Sequence, residues 1–195
     1  MTSSSQLGDG PSFSLPPVAG RAYVKEAMTT LTIDIRRAAL NDAIAIADVH
    51  HDAWRGAYAG IIPHKALNAM LQRRRAEWWA RAIRRSTQIL VAEVGGEVVG
   101  YATLGPNRAR QLTQKGEIYE LYIKPEYQGI GLGGRLLRTA RRCLTDMGLK
   151  GTVIWALEDN TLALSFYRGA GGRDIAEGIE CFDGKTLKKV AFVWN

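Results

Sequence analysis

The chain has 195 residues, of which 46% are apolar and 23% are charged, a composition typical of a globular protein with a buried core. No stretch approaches the roughly 18 consecutive apolar residues of a membrane-spanning helix, so no membrane association is expected. The first residues lack a basic segment followed by an apolar one, so no secretory signal is predicted. The two cysteines, Cys143 and Cys181, are expected to be buried thiols of a cytoplasmic protein.

The net charge of +7 comes largely from arginines on two predicted helices, within residues 73–85 and 135–142. Solvent-exposed helix faces explain such arginines without any partner. A polyanionic partner is the more specific explanation, but no nucleic-acid-binding motif or interleaved aromatic platform accompanies the charge. We therefore expect no nucleic acid partner, whereas a phosphate-bearing cofactor needs only part of this charge.

The pattern of apolar residues predicts one mixed α/β domain at residues 29–195. Residues 1–28 are expected to be a disordered extension, because their first 20 positions are rich in Ser, Gly and Pro and hold one charge. A strand at residues 31–38 is followed by two helical regions, a hairpin about Gly95-Gly96 and a strand that ends before Pro125. A long helix, an apolar strand, a short helix and two last strands complete the order β-α-α-β-β-β-α-β-α-β-β.

Between the strand that ends before Pro125 and the long helix lies "EYQGIGLGGRLL", residues 126–137, in which four of six consecutive positions are glycine. Glycine in a helix costs about 1 kcal/mol relative to alanine, which disfavours a loop without a ligand. Gly129, Gly131 and Gly134 satisfy the dinucleotide pattern G-x-G-x-x-G, and Glu158 ends the next strand as a ribose-binding acid does. However, only 61 residues follow Gly134, and they end in a hairpin rather than in further βα units.

Starting at Gln128, the same segment is Q-x-x-G-x-G and resembles the coenzyme A-binding segment of the GCN5-related N-acetyltransferase (GNAT) superfamily. A second signature of that superfamily, N-x-x-A-x-x-F-Y, is matched 32 residues further on by Asn160, Ala163, Phe166 and Tyr167. The element order is also similar. The resemblance implies a mixed, mostly antiparallel central sheet with a splayed parallel strand pair and helices on both faces, and it implies acetyl-CoA as the co-substrate.

The resemblance also implies where the cofactor binds. A helix N-terminus has unpaired N–H groups and a partial positive charge, and glycines leave that main chain open to a pyrophosphate. The preceding strand and Asn160 are implied as contacts for the pantetheine arm. The implied cofactor residues are Leu121, Tyr122, Ile123, Gln128, Gly129, Ile130, Gly131, Leu132, Gly133, Gly134 and Asn160.

Direct attack of an amine on the thioester, within a ternary complex, is the reaction that the resemblance implies. It assigns Tyr167 to the position beside the sulfur, where a hydroxyl can protonate the departing thiolate; a core aromatic is the alternative. An amine with a pKa of about 10 also needs a base. Glu117 is ranked first because it matches the base position of the histone-acetylating branch, and Glu120 is second. Three positions apart on a strand, these two carboxylates are expected on opposite faces.

An acceptor pocket is implied by "WRGAYAG", residues 54–60, which resembles a segment of bacterial GNAT members with small amine substrates. Trp54 and Tyr58 are therefore implied as substrate-binding residues; a helix end packed on the core is the alternative. The expected acceptor is a primary amine of a small molecule, such as an amino acid, a polyamine or another amine. A protein lysine or N-terminal acetyltransferase and a non-catalytic acyl-CoA-binding module remain open, as does a homodimer.

Metal ligation is not predicted. His51 and His64 have no partners at metal-ligand spacing. His50 lies on the apolar side of the first predicted helix and is expected to be a core histidine.

Overall fold

The computed structural model describes residues 32–195. Within this range the strands and α-helices follow the order predicted from the sequence, with one additional helix. The strands are β1 Ile33–Arg37, β2 Gln88–Val94, β3 Glu97–Pro106, β4 Gly116–Ile123, β5 Thr152–Leu157, β6 Arg173–Phe182 and β7 Lys185–Trp194. The α-helices are α1 Ala43–Tyr58, α2 His64–Arg73, α3 Ala76–Arg84, α4 Leu132–Asp146 and α5 Thr161–Gly169.

The strands form one seven-stranded sheet in the order β1-β2-β3-β4-β5-β7-β6. Every neighbouring pair is antiparallel except β4 and β5, which are parallel. Apolar side chains alternate between two cores, because Leu90 and Ala92 face α4 and α5 while Ile89 and Val91 face α1 and α3. The fold class expected from the sequence is therefore confirmed, with helices on both faces.

The parallel pair β4–β5 separates after three residue pairs, the last of which is Ile118 with Ile154. Beyond that point β4 stays paired with β3 as far as Ile123, and β5 stays paired with β7 as far as Leu157. The sheet therefore opens a gap between the C-terminal halves of β4 and β5. This is the splayed strand pair that the resemblance implied.

The second helical region is divided into α2 and α3 at Arg74. Its backbone leaves helical geometry there, with φ −105° and ψ 45°, and its carbonyl accepts a hydrogen bond of 3.0 Å from the indole N–H of Trp79. Since this bond satisfies a carbonyl that the helix no longer pairs, the break is stabilised by the following helix.

Three further expectations concern the N-terminal segment, the two cysteines and a membrane-spanning helix. The predicted extension at residues 1–28 and its boundary lie outside the described residues. Cys143 is half-buried, but Cys181 is exposed, so the expectation that both thiols are buried is wrong for Cys181, which lies on the edge strand β6. Among the residues described, no helix combines the length and apolarity needed to cross a membrane.

Candidate active site

Two glycines shape the turn in front of α4. Gly129 and Gly131 have φ angles of 78° and 87°, values that residues with a Cβ rarely adopt. A Cβ added at either position meets no atom of the described residues within 4 Å, so these residues leave the surface in front of the helix open. The unpaired N–H groups of the first turn of α4 lie behind this opening, which makes it a cradle that fits a phosphate group.

The other members of the glycine-rich segment have different surroundings. A Cβ on Gly133 would lie 3.3 Å from the ring of Phe166, so this glycine allows α4 to pack closely on α5. Leu132 is 1% exposed and has only its main chain to offer a ligand, whereas the side chain of Ile130 is exposed. An added Cβ on Gly134 meets only the tip of Arg138, at 3.4 Å.

Along the C-terminal half of β4, every second residue directs its main-chain N–H and C=O groups towards the gap. The Lys124 N–H donates to the Val99 carbonyl of β3 over 2.8 Å, so two residues earlier the peptide groups of Tyr122 also face β3. Those of Leu121 and Ile123 face the gap, because successive residues of a strand point their N–H and C=O groups to opposite sides. Gln128 donates its side-chain amide to the Ile123 carbonyl over 3.0 Å, which ties the glycine-rich turn to the end of β4.

Polar side chains from three elements, two hydroxyls and one amide, meet near this gap. The Tyr58 hydroxyl at the end of α1 lies 2.8 Å from the Tyr122 hydroxyl of β4, and it also interacts with the side chain of Asn160. Asn160 caps α5, accepting the Ala163 N–H at 3.1 Å. The structure thus brings Tyr58, Tyr122 and Asn160 together, although they are far apart in sequence.

Tyr167 lies on α5 with 6% of its surface exposed. Its ring packs against Phe166, Phe192 and Trp194, with centroids 5.2, 5.5 and 6.2 Å away. Burial raises the pKa of its hydroxyl well above the usual value, and the nearby Tyr58 raises it further. The hydroxyl therefore keeps its proton at neutral pH, as a proton donor must.

The two candidate carboxylates share one face of the sheet, contrary to the expectation from simple alternation. A β-bulge in β4 opposes Ile118 to Leu104 but Glu120 to Thr103, so one extra residue lies between them. Ile118 and Leu121 both pack in the core beneath α4, and the carboxylate beside each points the other way. The extra residue cancels one step of the alternation.

Glu117 lies where β4 and β5 are still paired, opposite Val153. Its side chain is 3% exposed and forms an ion pair with Arg108, whose Nη2 is 2.5 Å from Oε1. The main-chain N–H of Arg108 also donates to Oε2 over 2.8 Å. Both carboxylate oxygens are therefore engaged by one neighbouring residue.

Glu120 lies beyond the point where β4 and β5 separate, with its side chain 10% exposed. Arg74, at the break between α2 and α3, approaches it to 3.2 Å, and the Tyr101 hydroxyl of β3 interacts with it as well. Burial is the largest influence and raises the pKa of the Glu120 carboxyl, while Arg74 and Tyr101 oppose that rise. A carboxylate with a raised pKa is a stronger base.

Trp54 is 8% exposed and packs between His50 and Tyr58, with both ring centroids 4.9 Å away. It packs in the core beneath the loop between α1 and α2, in one cluster with Ile62 and Leu67. The same loop borders a cavity of about 400 Å³, and neither Trp54 nor Tyr58 is among its lining residues. Its lining residues come from the end of α1, the loop, α2 and the start of β7: Arg55, Ala59, Gly60, Ile61, Ile62, Pro63, His64, Leu67, Asn68 and Lys185.

Sequence reasoning missed Arg74, Arg108 and Tyr101. Arg74 belongs to a run expected to be solvated, yet it pairs with Glu120 and stacks over Trp78 at 3.9 Å. No local pattern identifies it, because its partner lies 46 residues away. Arg108 lies in an irregular loop and Tyr101 in a strand that is buried along nearly its whole length, and neither context carries a functional signal.

Comparison with known proteins gives consistent results. The family model described as Acetyltransferase (GNAT) family matches residues 45–171. An uncharacterized N-acetyltransferase of Bacillus subtilis, YuaI, is 32% identical over 162 residues, which cover 83% of this chain and 92% of the relative. A spermidine N(1)-acetyltransferase of Thermoplasma acidophilum is 25% identical over 138 residues, or 70% of this chain and 86% of the relative.

Among solved structures, the PaiA N-acetyltransferase of Thermoplasma acidophilum in complex with coenzyme A superposes with a TM-score of 0.65. It is 24% identical and covers 82% of this chain and 98% of its own, so it supports the fold alone. The family match extends over most of the described residues, from α1 to α5. The chain therefore belongs to the GNAT family of acetyltransferases, and the N-acetyltransferase assignment made from its two signatures is confirmed.

Proposed function

We propose that this enzyme transfers an acetyl group from acetyl-CoA to a primary amine of a small molecule. The observation that carries the proposal is the combination of three features: an open glycine cradle at the start of α4, a gap between β4 and β5, and a buried carboxylate, Glu120, beside that gap. A cofactor binder needs the first two, but only an enzyme that deprotonates an amine needs the third.

The residues around the gap fit acetyl-CoA, which supplies an acetyl group activated as a thioester. Gly129 and Gly131 leave room for its phosphates before the N-terminus of α4. The N–H and C=O groups of Leu121 and the C=O group of Ile123 suit the amides of its pantetheine arm, and the Asn160 side chain lies at the same gap.

In the proposed mechanism Glu120 takes the proton from the acceptor amine, because its buried carboxyl has a raised pKa. Glu117 is second, since Arg108 occupies both of its oxygens; this reverses the order expected from the sequence. The Ile123 N–H donates to the oxygen on which negative charge develops. Tyr167 donates its proton to the departing sulfur and thereby prevents a free thiolate from accumulating.

The cavity beneath the α1–α2 loop supports an acceptor that carries an anionic group in addition to its amine. Arg55, His64 and Lys185 line it, and no Asp or Glu of residues 32–195 does. Such a lining attracts a carboxylate and repels a polyamine. Although a relative at 25% identity is a spermidine N(1)-acetyltransferase, the charge of this cavity favours an amino acid or a similar amino-carboxylate. The expected absence of a nucleic acid partner and the cytoplasmic location stay predictions.

The test is an acetylation screen that reads thiol release from acetyl-CoA with amino acids, polyamines, simple amines and lysine-containing peptides. We expect turnover with amino-carboxylates, and we expect Arg55→Gln to raise their KM about tenfold, the loss of one ion-assisted contact worth about 1.4 kcal/mol. Simple amines serve as the matched control, because their KM should not change. Turnover with peptides alone would make the enzyme a protein acetyltransferase, and acetyl-CoA binding without any turnover would make it a binding module.

A further inference from the structure

A buried polar chain behind Glu120 is not used by the mechanism above. His50 of α1 is 1% exposed and Tyr101 of β3 is 0% exposed. The His50 Nδ1 lies 2.8 Å from the Tyr101 hydroxyl, and the same hydroxyl interacts with the carboxylate of Glu120. Tyr101 and Glu120 lie on the same face of the paired strands β3 and β4, so His50, Tyr101 and the proposed base follow one another in space.

The chemistry of these groups fixes the direction of the chain. An ionised carboxylate only accepts hydrogen bonds, so Tyr101 is the donor in its contact with Glu120. The Tyr101 oxygen then accepts from His50, which requires a proton on Nδ1. Burial lowers the pKa of His50 to about 3, so the ring is neutral at pH 7 and carries that single proton.

Aromatic packing holds this chain in place. The His50 ring contacts Trp54 and Trp79, with centroids 4.9 and 5.8 Å away. Tyr101 packs edge to face against Trp79 at 4.9 Å. Because these rings are buried and closely packed, neither side chain can rotate without disturbing the core, and their hydrogen bonds act in a medium of low polarity.

We propose that Tyr101 and His50 are positioning residues for the base: His50 orients the Tyr101 hydroxyl, and Tyr101 holds the Glu120 carboxylate ready to accept a proton. This inference rests on the proposed role of Glu120. It assigns a function to two buried residues that otherwise belong only to the core.

Glu120 is influenced by charged and titratable groups from every element packed against it. Tyr101 reaches it from β3, Arg74 from the α2–α3 junction and Arg108 from the β3–β4 loop. Tyr58 of α1 and Tyr122 of β4 face the same carboxylate. Burial favours the protonated acid, whereas Tyr101 and Arg74 favour the ionised form. Removal of the Tyr101 hydroxyl should therefore raise the pKa of Glu120.

The test is a carbon-13 NMR titration of the Glu120 carboxyl in the full chain, with the resonance assigned by its loss in Glu120→Gln. Tyr101→Phe removes one hydrogen bond to a charged group, so we expect the pKa of Glu120 to rise by about one to two units. Tyr119→Phe is the matched control, because its hydroxyl donates to the Pro106 carbonyl instead, and it should leave that pKa unchanged.

His50 is tested by a pair of variants. Asn keeps an N–H donor near the place of Nδ1, whereas Leu has none. We expect His50→Leu to raise the Glu120 pKa by a smaller step than Tyr101→Phe, and His50→Asn to restore it. If Tyr101→Phe does not fold, this pair still supplies the comparison.

Two outcomes separate the inference from the function on which it rests. An unchanged or lowered Glu120 pKa in Tyr101→Phe, or equal values in the Leu and Asn variants, would overturn the inference. A Glu120→Gln variant with the wild-type pH–rate profile would instead remove Glu120 as the base, whatever the titration shows. If the inference and the proposed role of Glu120 are both correct, the acidic limb of the pH–rate profile of Tyr101→Phe moves to higher pH, in step with the measured pKa.

Discussion

At the scale of single residues, Tyr167 is buried and lies near Tyr58, one of the residues that meet at the gap. We expect Tyr167→Phe to lower kcat about a hundredfold, the usual contribution of a positioned proton donor, while coenzyme A binding stays unchanged because the ring is kept. Steady-state kinetics and calorimetry measure the two effects. Tyr119→Phe is a control that removes a hydroxyl outside the site. Equal turnover in Tyr167→Phe would exclude Tyr167 from the reaction.

The two glutamates differ in their hydrogen-bond partners, and this difference gives a second prediction. Glu120→Gln should lower kcat/KM at pH 7 about a hundredfold and move the pH–rate profile to higher pH, where the amine loses its proton unaided. Glu117→Gln should keep the wild-type profile but lower the melting temperature, because Arg108 loses its buried partner. The reverse assignment of effects would make Glu117 the base.

At the scale of elements, the turn before α4 depends on backbone conformation. Ala at position 131 has to adopt φ near 87°, which costs roughly 1–2 kcal/mol or shifts the turn that presents the first N–H groups. We therefore expect Gly131→Ala to weaken coenzyme A binding about tenfold, measured by calorimetry.

Gly96→Ala is the matched control for the turn, since Gly96 has φ of 90° and equally open surroundings in the β2–β3 hairpin. It should cost similar stability without any loss of coenzyme A binding. Equal binding by the wild type and Gly131→Ala would mean that the turn does not present the cofactor site.

At the scale of the whole molecule, the buried His50 links folding to pH. Its pKa is about 3 in the folded chain against 6.5 for an exposed histidine. Between these values only the unfolded chain binds the proton, so stability is full above pH 6.5 and is lost as pH falls towards 3. The resulting loss in the free energy of unfolding is about 2 kcal/mol between pH 7 and pH 5.

Urea unfolding at pH 7 and pH 5 measures that loss. His50→Asn has no titrating group at this position and should lose about 2 kcal/mol less than the wild type over the same interval. His51→Asn is the control, because His51 is exposed beside Asp52, and it should follow the wild type. Identical pH dependence in all three proteins would show that His50 does not titrate as its burial implies.

Sequence alone determined the features that a few neighbouring residues encode. The glycine-rich turn, the cap at Asn160 and the position of Tyr167 follow from two short signatures, and the element order follows from apolar periodicity, because each depends on local backbone geometry. The break between α2 and α3 at Arg74 was not predicted. It is stabilised by the Trp79 indole N–H, which reaches the Arg74 carbonyl only once α3 has formed.

Tertiary structure decided which groups meet. The bulge in β4 brought both glutamates to one face, an outcome that alternation along one strand does not contain, because the extra residue is defined only by the register with β3. His50 and Tyr101 are 51 residues apart, and Arg74 and Glu120 are 46 apart. The sequence specifies the chemistry of each side chain, but burial and distance, which set the pKa and the partner of Glu120, exist only once the helices pack on the sheet.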